Sequence, residues 1–195
     1  FDKPFELARE YYHLILLCEN NVGYRNLMKL VSLAFTEGFY NKPRIDYEIM
    51  EKYHEGLICL SACMSGEISK RLLSDDYSGA LEKARYYQSV FGKDNYFIEL
   101  QNHEIPEQQQ LNPQLKRIAK EIGSGLVVTN DCHYIRKQDS DLHDILLCIQ
   151  TNSTVKDKKM GFDTEEFYLK SEEEMRAAFP DEDEAFENTV KIAER

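Results

Sequence analysis

Four short apolar runs, each about the length of a β-strand, alternate with longer stretches of helical periodicity. They cover residues 13–18, 56–61, 95–100 and 126–129. Nearly continuous apolar runs of this length are typical of strands buried on both faces, as in parallel sheets. Strands that alternate with helices predict βα units around a largely parallel sheet. We therefore expect an α/β fold, with too few strands here to close an eight-unit barrel.

The stretches between the runs carry helix signals. Helices are predicted over 23–35, 46–54, 67–73, from Asp76 or Ser78 to Phe91, over 106–122, over 140–149, from Ser171 onward, and from about Asp183 to the end. Asp46 and the Ser171–Glu174 pair are N-terminal capping signals. On two helices the apolar residues share one stripe, which predicts the buried face. These stripes consist of Tyr24, Leu27, Leu30, Val31, Ala34 and Phe35, and of Leu142, Ile145, Leu146 and Ile149.

Composition limits the possible functions. The 195 residues carry a formal net charge of −11, and a surface of that sign disfavours binding of duplex phosphate through this segment alone. A local cationic or metal-filled pocket stays compatible with an acidic chain. The five cysteines are odd in number, and no apolar stretch is long enough to span a bilayer. We expect free thiols, a cytoplasmic location and no membrane contact. The start at Phe1, without a Met, predicts a piece of a longer polypeptide.

Residues that can bind metal follow three of the predicted strands. Cys63 follows the second strand, His103 the third, and Asp131 and His133 the fourth. The carboxyl ends of parallel strands meet at one edge of a sheet, so these groups are expected to converge. Side chains two residues apart in extended backbone point to the same side, which lets Asp131 and His133 share one divalent ion.

His13 opens its predicted strand instead of following it. To reach the same edge, that strand must run antiparallel to its neighbours. Each candidate also has a structural interpretation: His13 as a core histidine bonded to a carbonyl, Cys63 as a small buried hydrophobe, His103 as a helix cap, and Asp131 as an acceptor for turn amides. His54 and His143 fall on helices and are assigned to structure or surface. Residues 172–194 predict a solvated acidic face.

Six segments together point to a family. They strongly resemble the PHP (polymerase and histidinol phosphatase) domain family, as it occurs in the alpha subunit of the bacterial replicative DNA polymerase III. The similarity covers essentially the whole chain, in family order and spacing. The segments are Tyr12–Leu30, Gly38–Asp46, Leu60–Ile68, Tyr96–His103, Thr129–Tyr134 and Asp141–Thr151.

The resemblance implies a fold and a site. The fold is a distorted seven-stranded (βα) barrel with a metal cluster at one mouth. His13, Cys63, Asp131 and His133 match four of the family's ligand positions. His103 lies near the mouth and is the catalytic candidate, orienting phosphate or transferring a proton. A thiolate with imidazoles suits zinc, and the carboxylate also tolerates manganese or magnesium.

The resemblance also implies missing parts. The family's His-x-His segment, with its further ligands, would precede Phe1, so we expect an incomplete metal site and missing first strands. Residues 1–155 are interpreted as the C-terminal portion of the PHP domain. Residues 156–195 are interpreted as a polar loop and acidic helices that lead toward the polymerase core. The aspartates of nucleotide addition would follow Arg195.

The implied function belongs to the full-length chain. It is a DNA-directed DNA polymerase of chromosomal replication, with a metal-dependent phosphoesterase or 3′–5′ exonuclease site in the complete PHP domain. The implied partners are DNA, the palm and thumb domains and other replicase subunits. The alternative is a catalytically silent module that braces the polymerase and docks other subunits. A free-standing histidinol-phosphatase-like enzyme fits less well, because residues 23–27 and 148–151 resemble polymerase sequence.

Overall fold

A computed structural model describes residues 11–157 and 161–195, so the predicted start at Phe1 lies outside the described residues. Within these residues, four strands form one sheet in the order β1-β2-β3-β4. β2, β3 and β4 run parallel, whereas β1 is antiparallel to β2. The α/β class and the reversed first strand are therefore confirmed. The strands are β1 (Ile15–Cys18), β2 (Leu57–Leu60), β3 (Tyr96–Leu100) and β4 (Gly125–Val128).

The helices begin and end close to the predicted positions because their caps are local. The Asp46 carboxylate accepts from the Ile49 N–H, and Ser171 and Glu174 form a reciprocal capping box. The helices are α1 (Asn21–Thr36), α2 (Tyr47–Lys52), α3 (Glu67–Leu73), α4 (Tyr77–Phe91), α5 (Pro106–Ile122), α6 (Ser140–Gln150), α7 (Glu172–Ala178) and α8 (Asp183–Ala193).

The two faces of the sheet are covered differently. One face packs on α3, α4 and α5 and holds the main core, to which Leu57, Tyr96 and Ile98 contribute. The other face carries a smaller apolar cluster of Ile58, Leu60, Phe97 and Val127, against which Ile192 of α8 packs. Burying one large apolar side chain stabilises a fold by about 1.5–3 kcal/mol, so the main core dominates stability.

Strand β1 was predicted to be buried on both faces, but among the described residues only one of these faces packs against the core. Ile15 and Leu17 are 39% and 37% exposed. They pair with Leu60 and Ile58, which places them on the second face of the sheet. In the part of the chain that the structure describes, β1 is an edge strand and α8 packs mainly along β4. The apolar run therefore predicted the strand correctly and its burial wrongly.

The predicted inner faces of two helices are also largely exposed. In α1, Leu30 and Ala34 are buried, but Tyr24, Val31 and Phe35 are exposed. In α6 the only buried residue is Cys148. Periodicity marks the apolar side of a helix, but it does not supply the element that covers it. The exposed stripe of α6, which we call the α6 face, consists of Leu142, Ile145, Leu146 and Ile149.

The segment after residue 160 packs against the same sheet. Phe179 and Phe186 join the main core, and the Asn188 side chain donates to the Leu126 carbonyl over 2.7 Å. The proposed domain division at 155 stays a prediction. None of the helices in the described residues combines the length and apolar character needed to cross a membrane.

Replacing Gly23 with alanine should destabilise the fold by about 2–3 kcal/mol, because it forces two backbones apart. A Cβ at Gly23 would lie 1.8 Å from the carbonyl oxygen of Gly56, where the chain enters β2. Urea unfolding of Gly23→Ala measures the loss. Lys29→Ala, an exposed change on the same helix, should stay within about 0.5 kcal/mol. Equal stabilities of the two variants would contradict the packing of α1 on this turn.

Candidate metal-binding site at the sheet edge

His13 and Cys63 meet at the edge where the parallel strands end. The Nδ1 atom of His13 lies 3.6 Å from the Sγ atom of Cys63. The His13 N–H donates to the Ser65 carbonyl over 3.0 Å, which ties the start of β1 to the turn after β2. The antiparallel direction of β1 is what brings His13 to this edge. Burial raises the pKa of the Cys63 thiol, and the charges of Asp131 and Glu99 raise it further.

Asp131 and His133 form a second pair at the same edge, just after β4. The Oδ1 atom of Asp131 lies 3.4 Å from Nε2 of His133, and about a third of each side chain is exposed. The His133 N–H donates to the Phe167 carbonyl over 2.8 Å, which fixes its backbone. Both side chains are therefore open to solvent or to a ligand.

The backbone turns through the left-handed region at each of the three parallel-strand exits. Ala62 follows β2 with φ +65°, Glu104 follows β3 with φ +59°, and Asp131 follows β4 with φ +46°. This conformation costs an L residue about 1–2 kcal/mol. Strain of this kind is typically concentrated at functional sites, where the surrounding fold maintains it.

A buried carboxylate that the sequence analysis did not select lies between the two pairs. The Oε1 atom of Glu99 accepts from the hydroxyl of Thr129 and, over 3.0 Å, from the side-chain amide of Gln101. Among the described residues, Oε2 of Glu99 and Oε1 of Gln101 have no hydrogen-bond partner of standard geometry, although the backbone N–H of Ala62 is close enough to lower the pKa of Glu99. Burial raises the pKa of Glu99, and Asp131 adds to the shift. The sequence signal that could have identified Glu99 is its charge within the otherwise apolar run Tyr96–Leu100.

A small cavity at this edge is lined in part by Cys63, Glu99 and Gln101. A buried acceptor oxygen without a donor is costly, and a cation is one way to satisfy it. The carboxylate and amide oxygens and the thiol around this cavity are donor types that divalent ions accept.

His103 is buried behind this edge. Its Nε2 lies 2.7 Å from the carbonyl oxygen of Asn130, and its ring stacks on Phe167 with centroids 4.1 Å apart. Its backbone N–H donates to the side chain of Gln108 in α5 over 2.7 Å. Burial lowers the pKa of His103, which favours the neutral ring. These contacts hold the residue before Asp131 in place, and the catalytic role of His103 stays a prediction.

His143 lies beside His133, although its position on a helix had assigned it to structure or surface. The two ring centroids are 5.8 Å apart, and Phe162 packs on both rings. Burial lowers the pKa of His143, and the neighbouring His133 lowers it further. No sequence spacing connects a residue of α6 with the exit of β4, so only the structure could find this contact.

The four predicted ligands are therefore placed as two pairs. In residues 11–157 and 161–195, no group of three or more His, Cys, Asp or Glu side chains is close enough together to hold a metal ion. The charge of Asp131 nevertheless contributes to the raised pKa of both Cys63 and Glu99.

Comparison of the sequence with models of known protein families identifies one family for this chain. The model of the PHP domain matches residues 3–103, more than half of the chain. The chain belongs to the PHP domain family.

Its relatives include the alpha subunits of bacterial DNA polymerase III. The chain is 49% identical to the DNA polymerase III subunit alpha of Treponema pallidum (strain Nichols) over 190 residues, 97% of the chain and 16% of that protein. It is 44% identical to that of Borreliella burgdorferi over 194 residues, 99% of the chain and 17% of that protein. Identity to that of Thermus aquaticus is 47% over 187 residues, 94% of the chain and 15% of that protein. The chain thus spans about a sixth of the length of these relatives.

Proposed function

We propose that this chain is part of the PHP domain of a DNA polymerase III alpha subunit, and that the sheet edge is a metal-dependent phosphoesterase site acting on the 3′ end of DNA. The observation that carries the proposal is the placement of the two donor pairs. His13 and Asp131 are more than 100 residues apart in sequence, yet both lie at one edge. The relatives' names support the polymerase context. The full polypeptide would act in DNA replication in the cytoplasm.

The residues present fit divalent metal ions. We assign His13, Cys63, Asp131 and His133 as ligands, and the unpartnered oxygen of Glu99 adds a hard donor beside them. Imidazole and thiolate suit zinc, whereas the carboxylates also suit manganese or magnesium. The remaining ligands and strands of a seven-unit barrel would come from residues outside this chain.

Bound divalent ions supply Lewis-acid polarisation of a phosphodiester and a reactive water at neutral pH. The chain's own residues fix the geometry. His103 holds the Asn130 carbonyl, which sets the backbone direction entering Asp131. Phe162 and Phe167 pack against the ring of His133 and limit its rotation. The partly buried, neutral His143 lies beside His133 as a group able to accept a proton.

A second candidate function is supported by the α6 face. Its four apolar side chains are between 45% and 72% exposed, which is unusual for a helix of this amphipathicity. In this alternative the domain braces the palm and thumb of the polymerase or docks another replicase subunit, and any metal contributes only stability.

Nucleotide release separates the two candidates. The full-length polypeptide is incubated with single-stranded DNA labelled at its 3′ end, without deoxynucleotides. We expect chelation to reduce release at least 10²-fold and added zinc or manganese to restore it, because the reaction depends on the ion. The structural candidate instead predicts no release with any ion. It also predicts that Leu146→Asp on the α6 face weakens subunit binding, whereas Glu82→Asp, at an exposed position of α4, does not.

A further inference from the structure

A small cationic and aromatic surface lies beside His13, at the same edge of the sheet as the donor pairs. We call it the Lys42–Lys70 surface, and it consists of Tyr11, Tyr12, Lys42 and Lys70. The whole chain has a formal net charge of −11. A local concentration of positive charge on such a chain directs anions to one place.

The two ammonium groups are held by tyrosines. Nζ of Lys42 donates to the Tyr11 hydroxyl over 3.0 Å and lies 4.9 Å from the ring centroid. Nζ of Lys70 donates to the Tyr11 carbonyl over 3.3 Å and lies 5.3 Å from the ring centroid of Tyr12. Within residues 11–157 and 161–195, neither ammonium group forms an ion pair with a carboxylate. Both lysine side chains are exposed, so an anionic ligand can reach them.

The surface is continuous with the first donor pair. The ring of Tyr11 stacks on the ring of His13, with centroids 6.4 Å apart and planes 26° apart. His13 in turn lies 3.6 Å from Cys63. Tyr11 is 40% exposed, which leaves part of its ring open for contact with a base. A ligand at the donor pair therefore meets aromatic surface and positive charge as it extends outward.

We propose that the Lys42–Lys70 surface binds the phosphate backbone of a single DNA strand whose 3′ end occupies the donor site. This inference rests on the proposed function, since it names the path of that site's substrate. Ammonium groups bind phosphates and release counterions. Exposed aromatic rings next to such groups form the stacking surface typical of single-strand binding. A ligand that reaches from the donor pair to the Lys42–Lys70 surface needs a second phosphate beyond the one at the donor pair. A DNA strand provides such successive phosphates.

Photo-crosslinking tests the path without requiring hydrolysis. The full-length polypeptide is irradiated, in the presence of a chelator, with a single-stranded thymidine oligonucleotide carrying 4-thiothymidine near its 3′ end. Mass spectrometry then locates the crosslinked peptide. We expect crosslinks in the peptide that contains Tyr11 and Tyr12. Raising salt from about 50 to 200 mM should lower their yield roughly sevenfold if two phosphates are contacted.

Three double variants make the test specific. Lys42→Ala/Lys70→Ala should lower the crosslink yield at least fivefold, and Lys42→Arg/Lys70→Arg should retain it. A control, Lys93→Ala/Lys120→Ala, removes the same charge from exposed positions at the opposite edge of the sheet and should retain the yield.

The outcomes test the path of the DNA strand over the Lys42–Lys70 surface separately from the hydrolysis of that strand. An unchanged yield in the Lys42→Ala/Lys70→Ala variant, or an equal loss in the control, overturns the proposed path while leaving hydrolysis a separate question. Crosslinks that depend on Lys42 and Lys70 support the path even if nucleotide release is never observed. The unfolding temperatures of all variants should equal that of wild type, which shows that a lower crosslink yield does not come from a loss of fold.

Discussion

Substituting Asp131 with asparagine is expected to slow the release of 3′ nucleotides roughly 10²- to 10³-fold, a typical cost of removing one preorganised polar group from an active site. The variant removes the carboxylate charge next to His133 and keeps the side-chain size. It also keeps the backbone, because asparagine tolerates the left-handed conformation that Asp131 adopts at φ +46°. Single-turnover release from 3′-labelled single-stranded DNA measures the effect.

A matched control makes this prediction specific to the site. Asp163→Asn changes the same charge at an exposed position in the segment that carries Phe162 and should leave release unchanged. DNA polymerisation and the unfolding temperature should be retained in both variants. If Asp131→Asn instead unfolds together with a loss of polymerisation, or if both variants lose release equally, Asp131 does not act as a ligand.

The second large effect is on stability. Glu67→Ala should lower the free energy of unfolding by about 3–5 kcal/mol, because it breaks a buried ionic network. The buried Glu67 carboxylate accepts from the hydroxyls of Tyr47 and Tyr87 over 2.6 and 2.9 Å, and pairs with Arg71 over 3.1 Å. Removing it takes away the acceptor of the buried Tyr87 hydroxyl, one acceptor of the half-buried Tyr47 hydroxyl, and one of the two carboxylates that pair with Arg71. Urea unfolding measures the difference.

Two further variants serve as controls for the loss of unfolding free energy in Glu67→Ala. Glu67→Gln keeps an acceptor oxygen for the tyrosines and should fall between wild type and Glu67→Ala. Glu82→Ala, an exposed change on α4, should remain within about 0.5 kcal/mol of wild type. A loss below about 1 kcal/mol for Glu67→Ala would refute the buried network. Glu67 begins α3 directly after the turn that carries Cys63, so its loss should also disturb the first donor pair.

Much of the fold was predictable because its signals are local. Side-chain caps such as Asp46 and Ser171 fixed where helices begin, and the apolar runs fixed the strands. The arrangement of the sheet edge was also predictable in part. Parallel strands share one edge, and the requirement that His13 reach it predicted the antiparallel direction of β1.

The remaining differences concern contacts between distant segments. Ile15, Leu17 and the α6 face are apolar without being buried, since periodicity cannot say whether a covering element lies in the same segment. Glu99 was passed over because a strand pattern records burial and not which oxygen lacks a partner. His143 reaches His133 only through the packing of α6 near the exit of β4.

The reversed direction of β1 has a consequence for the order of events during protein synthesis. Of the four donors assigned in this chain, His13 leaves the ribosome first, and Asp131 and His133, at the exit of β4, leave last. No nascent fragment that stops before that exit can hold a full set of donors. Contacts of such wide sequence separation form slowly. Metal capture by these four donors would therefore wait until translation has passed β4.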